Sequence, residues 1–343
     1  MNKLGIGNNP LRIGIIGAGL QGGRRAPVLK QLSSNKLVMT ADIRIEVAQR
    51  LAETAGGIAT QKWEDVVKNP DIDVVIVCTP PKLHAVMSIA AMNHGKHVLC
   101  EKPLALTIEE VKAMLDAARV NCVTLKCGFN HRHHPSILKA KEWIDAGVIG
   151  ELNFMRCVYG IGGRPGYEKE WRADPKMVAG GQLMEQGIHA IDLFRWFLGE
   201  FSEVSGFIST RSWNIAPLED NAFALFRTAK GQIASLHSTL TQWKNVFRLE
   251  IFGQDGYIII EGLGGSYGTE KLTLGKKLFF EPFKDETTEF RGGDDSWSEE
   301  WKEFLSAIRE KREPLGNGFD GLEAIRLTNA VYQSSSTGST VKL

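Results

Sequence analysis

Three groups of residues in this 343-residue chain have the types and spacing that chemistry requires. Glu185 and His189 stand four positions apart in Gly180-Gly181-Gln182-Leu183-Met184-Glu185-Gln186-Gly187-Ile188-His189-Ala190-Ile191-Asp192. On a helix of about 3.6 residues per turn both project from one face, with Asp192 flanking it. A carboxylate beside an imidazole raises its basicity and fixes its tautomer, which suits a general acid or base near neutral pH. The same spacing fits a surface i, i+4 pair, or a core histidine with its partner. The second group is Glu101-Lys102-Pro103 after the apolar run KHVLC. The proline excludes the α region for Lys102 and holds it extended, so its ammonium is a candidate for a substrate oxygen; the plain alternative is a solvated strand end.

The third group is Gly17-Ala18-Gly19-Leu20-Gln21-Gly22, entered directly from LRIGII, with Asp42 closing the next apolar run and Ile43 beside it. A strand before, a helix after and an acidic residue about twenty positions on make a dinucleotide-binding turn. Gly17 permits the tight turn, Gly19 lets backbone approach a pyrophosphate, and Gly22 allows close helix packing. Asp42 would bind both ribose hydroxyls and repel a 2′-phosphate, favouring NAD over NADP, with Arg44 as the nearby residue that weakens the discrimination. Thr79-Pro80-Pro81-Lys82-Leu83-His84 follows the run DVVIVC, and ligands of doubly wound sheets bind outside the carboxyl ends of strands.

The elements that must position these groups are legible as patterns. LRIGIIG, KLVMTAD, DVVIVCTP, KHVLCEK and CVTLKCGF alternate with stretches of helical spacing such as Ile43 to Thr54 and Thr107 to Asn121, as in βαβ units with a parallel sheet covered on both faces. After about Phe129 come a helix from Pro135 to Ala146, a strand from Glu151 to Tyr159, a loop rich in Gly, Pro and Arg, and a helix from Leu183 to Leu198. The alternating runs EVSGFISTR, DNAFALFRTA, QIASLHSTLTQ, VFRLEIFG and GYIIIEG then predict a largely antiparallel sheet with one face open to a second subunit. Helices over about Ser296 to Lys311 and Asp320 to Ser335 close the chain. The expected class is α/β: a doubly wound Rossmann domain over 1–128 and an α+β domain with a large, mostly antiparallel open sheet over 129–343, its last helix able to pack back on the first domain.

Composition narrows the partners. Hydrophobic residues at 43% and charged residues at 24% are those of a globular protein, and a formal charge of +1 gives no bulk attraction to nucleic acid or a membrane surface. No apolar run reaches the roughly 20 residues of a bilayer span. Met1 to Pro10 lacks the charged start and apolar middle of a secretory leader, so a cytoplasmic location is expected. Cys78, Cys100, Cys122, Cys127 and Cys157 form no CxxC pair and suit reduced core thiols rather than disulfides or zinc.

The ordered set GAGLQG, Asp42, TPPKLH, EKP, GFNHRHHP and GGQLMEQGIHAID resembles the glucose-fructose oxidoreductase/inositol dehydrogenase/MocA family, and the ending PLGNGFDGLEAIRLTNAVYQSSSTGSTVKL extends the likeness over essentially the whole chain. The resemblance implies an NAD(P)-dependent oxidoreductase acting on a secondary alcohol or ketone carbon of a sugar, sugar derivative or cyclic polyol. It implies that Lys102 and His189 meet over the nicotinamide, that Asn130 and Arg132 lie near cofactor and substrate, and that a homodimer or homotetramer forms through the C-terminal sheet. Many members carry aspartate where this chain has Glu185, so the partnership of Glu185 with His189 is the least secure assignment. His131, His133 and His134 read as solvated loop residues, and no metal is expected. Tyr159, Arg164, Tyr167, Trp171, Arg172 and Trp213 are candidate sugar contacts, since rings stack on pyranose faces and Arg grips hydroxyls or carboxylates. A non-catalytic NAD- and sugar-binding regulator, and a glycoside hydrolase that uses NAD transiently, share the fold and remain alternatives.

Overall fold

The computed structural model describes residues 10–31 and 35–343. The N-terminal stretch read for a leader falls outside them, apart from Pro10. Two compact units result, one of Met1–Phe129 with Trp297–Leu322, the other of Asn130–Ser296 with Glu323–Leu343.

The first unit follows the chain through β1 (Leu11–Ile16), α1 (Leu20–Gln31), β2 (Asn35–Ala41), α2 (Ile45–Ala55), β3 (Ile58–Thr60), α3 (Trp63–Lys68), β4 (Val74–Val77), α4 (His84–Asn93), β5 (His97–Cys100), α5 (Ile108–Val120) and β6 (Leu125–Cys127). Its six strands lie in the order β3-β2-β1-β4-β5-β6, all parallel. Every side chain of β4 and β5 is buried, which is why Val74–Val77 is continuously apolar rather than alternating. At the start of α5, Thr107 Oγ1 accepts from the Glu110 amide and Glu110 Oε2 accepts from the Thr107 amide, a reciprocal cap that fixes where the helix begins. The three-residue edge strand β3 was not among the predicted runs; it is too short to show a period.

The second unit contains α6 (Pro135–Asp145), β7 (Leu152–Gly160), α7 (Ile188–Leu198), β8 (Phe201–Ser209), β9 (Asn221–Thr228), β10 (Ile233–Thr239), β11 (Val246–Gly253), β12 (Gly256–Glu261), β13 (Glu270–Lys276) and β14 (Glu286–Phe290). After α8 (Ser296–Glu310) and α9 (Gly318–Thr337), β15 (Val341–Lys342) completes a nine-stranded sheet in the order β14-β13-β12-β11-β7-β10-β9-β8-β15. Only β7 and β10 pair in parallel. One face carries Met155, Cys157, Leu236, Leu249, Ile251, Ile258 and Leu272 into a core shared with Ile137 of α6, Ile191 and Phe194 of α7, and Leu327 and Val331 of α9. The other face leaves Phe207 73%, Phe223 54%, Leu225 53% and Ile233 45% exposed. The hairpin β13–β14 and β15 escaped the sequence reading: in Glu286–Phe290 four exposed polar residues precede a single Phe290 that packs on the core, and β15 is two residues long.

The expectation that 129–343 forms one domain is corrected by α8. Its stripe Trp301, Phe304, Leu305 and Ile308 shares a buried cluster with Ile13, Ile15, Ala26, Leu29 and Leu99. Arg25 of α1 reinforces it: buried, it donates Nε to Glu101 Oε1 at 2.8 Å and Nη1 to Glu300 Oε2 of α8 at 2.6 Å. Among the described residues no disulfide forms; Cys100, Cys127 and Cys157 are buried, whereas Cys122, expected in a core, is exposed.

Candidate active site

In the first unit the site residues collect at the carboxyl ends of β1, β2, β4 and β5. Gly17 has φ +96° and a Cβ there would lie 2.7 Å from the Cys78 carbonyl carbon, so only glycine fits. A Cβ on Gly22 would sit 2.2 Å from the Gly17 carbonyl oxygen, the close approach of α1 to β1 that the motif demands. A Cβ on Gly19 would meet nothing within 4 Å, so the turn is open where a pyrophosphate would be cradled. Asp42 closes this turn: Oδ2 accepts from the Ala18 amide at 2.9 Å and Oδ1 from the Arg44 amide at 3.0 Å. Gln21 Oε1 is buried with no hydrogen-bond partner among the described residues, and Leu20 and Ile43 keep exposed apolar side chains. A cradle free of Cβ, an orphaned acceptor and an acid at the end of β2 fit a dinucleotide.

Thr79, Pro80 and Pro81 lead into α4, whose first residue His84 ties two strand ends together. Its Nδ1 lies 2.8 Å from the Pro103 carbonyl oxygen and its Nε2 2.6 Å from that of Thr79. A ring facing a carbonyl from each nitrogen satisfies both only as the doubly protonated imidazolium. His84 is therefore a clamp for the Glu101-Lys102-Pro103 segment. Glu101 is buried in its bond to Arg25, and its neighbour Lys102 is partly exposed.

In the second unit, the segment before α7 differs from expectation. Leu183–Gly187 forms a π-helical turn, wider than the 3.6-residue turn assumed for Glu185 and His189. A glycine and a carboxylate build it. A Cβ on Gly181 would lie 2.2 Å from the Glu219 carbonyl oxygen, and Glu219 accepts from the amides of Gly181 at 2.9 Å and Leu183 at 2.8 Å and from Tyr332 at 3.0 Å. Burial lifts the Glu219 carboxyl above the usual range, against the opposing pull of those amides. With the register widened, Glu185 Oε1 meets Arg172 Nε at 3.4 Å, while the imidazole of His189 stacks on His131 with ring centroids 3.9 Å apart.

Several assignments change. Arg132, expected at the substrate, is 2% exposed and forms a bidentate pair with Asp192, Nε to Oδ2 at 2.7 Å and Nη2 to Oδ1 at 2.6 Å; Asp192 thus holds an arginine. His131, His133 and His134, read as solvated, are buried in the turn Asn130–His133 and at the start of α6. Burial alone would raise the Glu270 carboxyl, yet its bond to His134 Nδ1 holds it below the ordinary range. Tyr159 is buried with its hydroxyl 2.8 Å from His131 Nε2, and burial pushes its titration far up. Asn130 Nδ2 donates to Ser296 Oγ at 2.9 Å. Tyr167 and Trp213 pack with Val178, Ile215, Leu218 and Leu240 in a satellite core, so packing explains both. Arg164 pairs with Glu170 on the surface, and the Arg172 guanidinium lies 4.3 Å from the Trp171 ring centroid. Of the predicted sugar contacts, Arg172 meets Glu185 directly and Trp171 lies against Arg172, while the Glu185 carboxylate also bears electrostatically on Tyr159, Arg164 and Tyr167. Arg25, Glu219 and the stacking role of His131 were missed, since each depends on contacts far away in sequence.

Residues 11–129 match an oxidoreductase family with an NAD-binding Rossmann fold, and residues 137–259 match the GFO/IDH/MocA C-terminal domain. Over 288 residues the chain is 30% identical to levoglucosan dehydrogenase of Pseudarthrobacter phenanthrenivorans, spanning 73% of each. The chain belongs to the GFO/IDH/MocA oxidoreductase family. This family member is also 27% identical to myo-inositol 2-dehydrogenase of Thermotoga maritima over 97% of its own length and 98% of the relative's. A levoglucosan dehydrogenase solved in complex with NADH and levoglucosan superposes with a TM-score of 0.89 at 26% identity, covering 97% of this chain and 99% of that one. The GFO/IDH/MocA enzyme described here is an oxidoreductase that uses NAD. No described helix is long and apolar enough to cross a membrane, and no group of His, Cys, Asp and Glu among the described residues could hold a metal ion.

Proposed function

We propose that this enzyme reversibly oxidises a secondary alcohol of a sugar, sugar derivative or cyclic polyol to the ketone, with Lys102 and His189 acting on the same oxygen. The observation that carries the reading is the fixed Glu101-Lys102-Pro103 segment: Arg25 and His84 immobilise its flanks in the unit that holds the dinucleotide turn. The nicotinamide supplies the hydride chemistry when bound. Gly17 to Gly22, Asp42 and the Thr79–His84 turn bind and orient it. Lys102 stabilises the negative charge that develops on the substrate oxygen, and His189 takes the hydroxyl proton at its imidazole as the carbon is oxidised, returning it in reduction. Glu185, with Arg172 and Trp171, contributes to the sugar subsite. Dehydrogenases named for levoglucosan and inositols among the relatives support this substrate class.

The test is a screen of inositols, aldoses, uronates and keto-glycosides for NADH formation, with NADP run in parallel. Lys102→Met should retain NAD binding while turnover falls by orders of magnitude. Unchanged turnover removes Lys102 from the reaction, and glycoside release without net NADH replaces the dehydrogenase by a hydrolase.

We also infer that the enzyme is a cytoplasmic homodimer or homotetramer joined through the outer face of its nine-stranded sheet. Phe207 pairs across strands with Phe223, whose ring stacks on His237 at 4.0 Å, and the row continues through Val158 to Arg248 and Glu261. An apolar half beside an ionic half suits a two-fold interface, because each copy offers both. Phe223→Asp should lower the mass measured by light scattering.

A further inference from the structure

We propose that His131 is a positioning residue that sets the protonation of His189, as a neutral ring stacked on it and locked in one tautomer by directional hydrogen bonds. The proposal rests on the reading of His189 as the proton carrier.

The rings of His131 and His189 are 19° from parallel with centroids 3.9 Å apart, and both residues are more than nine-tenths buried. The hydrogens of His131 can be assigned from its neighbours. The hydroxyl of Ser296 points its proton at Asp294 Oδ1, 2.5 Å away, so Ser296 Oγ has only lone pairs to offer Asn130 Nδ2 at 2.9 Å. This fixes the amide of Asn130, whose Oδ1 then faces His131 Nδ1 at 3.2 Å. Nδ1 therefore carries a hydrogen. On the other side of the ring, Nε2 lies 2.8 Å from the Tyr159 hydroxyl, which burial keeps protonated and which also bonds Tyr267; with Tyr267 accepting from Gln186 and donating to Tyr159, the Tyr159 proton is left for Nε2. Both contacts are satisfied by the neutral Nδ1–H form.

Two like-charged imidazoliums at this separation repel each other, whereas an imidazolium over a neutral π face is attracted to it. Beyond the one N–H that each neutral ring carries, the pair accordingly accommodates a single extra proton, and the lock on His131 makes His189 the ring that gains and loses it. The other titratable or charged groups on the elements around the pair are His133, His134 with Glu270, Asp294, Arg132 with Asp192, Tyr267 and Glu185. His134 stands edge-on to His131 at 5.6 Å, a further reason for that ring to stay neutral.

The test is an NMR titration of isotope-labelled histidine in the full enzyme, with kcat followed across the same pH range. In the wild type, the nitrogen shifts of His131 should report the Nδ1–H tautomer while His189 titrates. His131→Phe keeps a π face and should leave the His189 midpoint within a few tenths of a pH unit; His131→Leu should lower it by about one unit and move the matching limb of the kcat profile equally. Tyr159→Phe, which preserves the ring packing, should release the tautomer of His131 and broaden the His189 transition. A His189 midpoint identical in wild type and His131→Leu, or an Nε2–H tautomer for His131 in the wild type, overturns the proposal. If His131→Leu does not fold, the wild-type shifts and the Tyr159→Phe titration decide the matter alone. Full turnover in His189→Ala would instead overturn the role of His189, without altering what the titration says about the stacked pair.

Discussion

The amide of Ala18, inside the glycine-rich turn, donates to the carboxylate of Asp42 at the end of the neighbouring strand, 2.9 Å away. Asp42 thus serves the shape of the turn as well as any ribose above it. Asp42→Ser should reduce kcat/KM for NAD by tenfold or more, on the order of the loss of a charge-assisted hydrogen bond, and raise NADP use relative to NAD by removing the repelling charge beside Arg44. Steady-state kinetics with both cofactors measures the ratio, and an unchanged ratio would clear Asp42 of the discrimination.

The glycines of the same turn separate binding from folding. Gly19→Ala has open space for its methyl group, so the protein should melt near the wild-type temperature and yet bind NAD more weakly. Gly22→Ala drives its methyl group into the Gly17 carbonyl and should lower the melting temperature itself. Equal melting temperatures for the two variants would contradict this division.

The bidentate Arg132–Asp192 pair is almost wholly buried. Asp192→Ala leaves a buried guanidinium without its counter-charge and should cost about 3–5 kcal/mol of unfolding free energy in urea. Replacing both partners with apolar residues of similar volume should cost less. A double variant no more stable than the single one would show that packing, not charge, dominates there.

Burial pushes the His97 imidazole down to about 4 from its ordinary value of 6.5, while its Nδ1 accepts the Thr124 amide. The unfolded chain takes up this proton first as pH falls. The contribution of His97 is therefore complete above about pH 6.5 and declines toward pH 4, by roughly 3 kcal/mol over the window. Denaturant midpoints at the two ends should differ less in His97→Gln; an equal difference assigns the acid sensitivity to other groups.

Most of the first unit was legible because strands buried on both faces write continuous apolar runs, and because the dinucleotide turn restricts residue type at each glycine. Lys102 was legible for a related reason, since proline marks its backbone. Less of the second unit's polar interior could be read. A helical wheel places Glu185 and His189 on one face, but the π turn depends on Glu219 receiving the amides of Gly181 and Leu183, and nothing local records that carboxylate. Arg132 was placed near the substrate by the resemblance of GFNHRHHP alone; its partner lies sixty positions away, a pairing that only the fold discloses. The burial of three clustered histidines was equally hidden, as polarity ordinarily signals solvent.

The return of Trp297–Leu322 to the first unit has a consequence for biosynthesis. When only the first 129 residues have emerged from the ribosome, Arg25 lacks Glu300 and the apolar surface around Ile13 and Leu29 lacks Trp301 and Phe304. The nucleotide-binding half must then wait, unfinished and in need of protection from aggregation, while more than 160 further residues are translated.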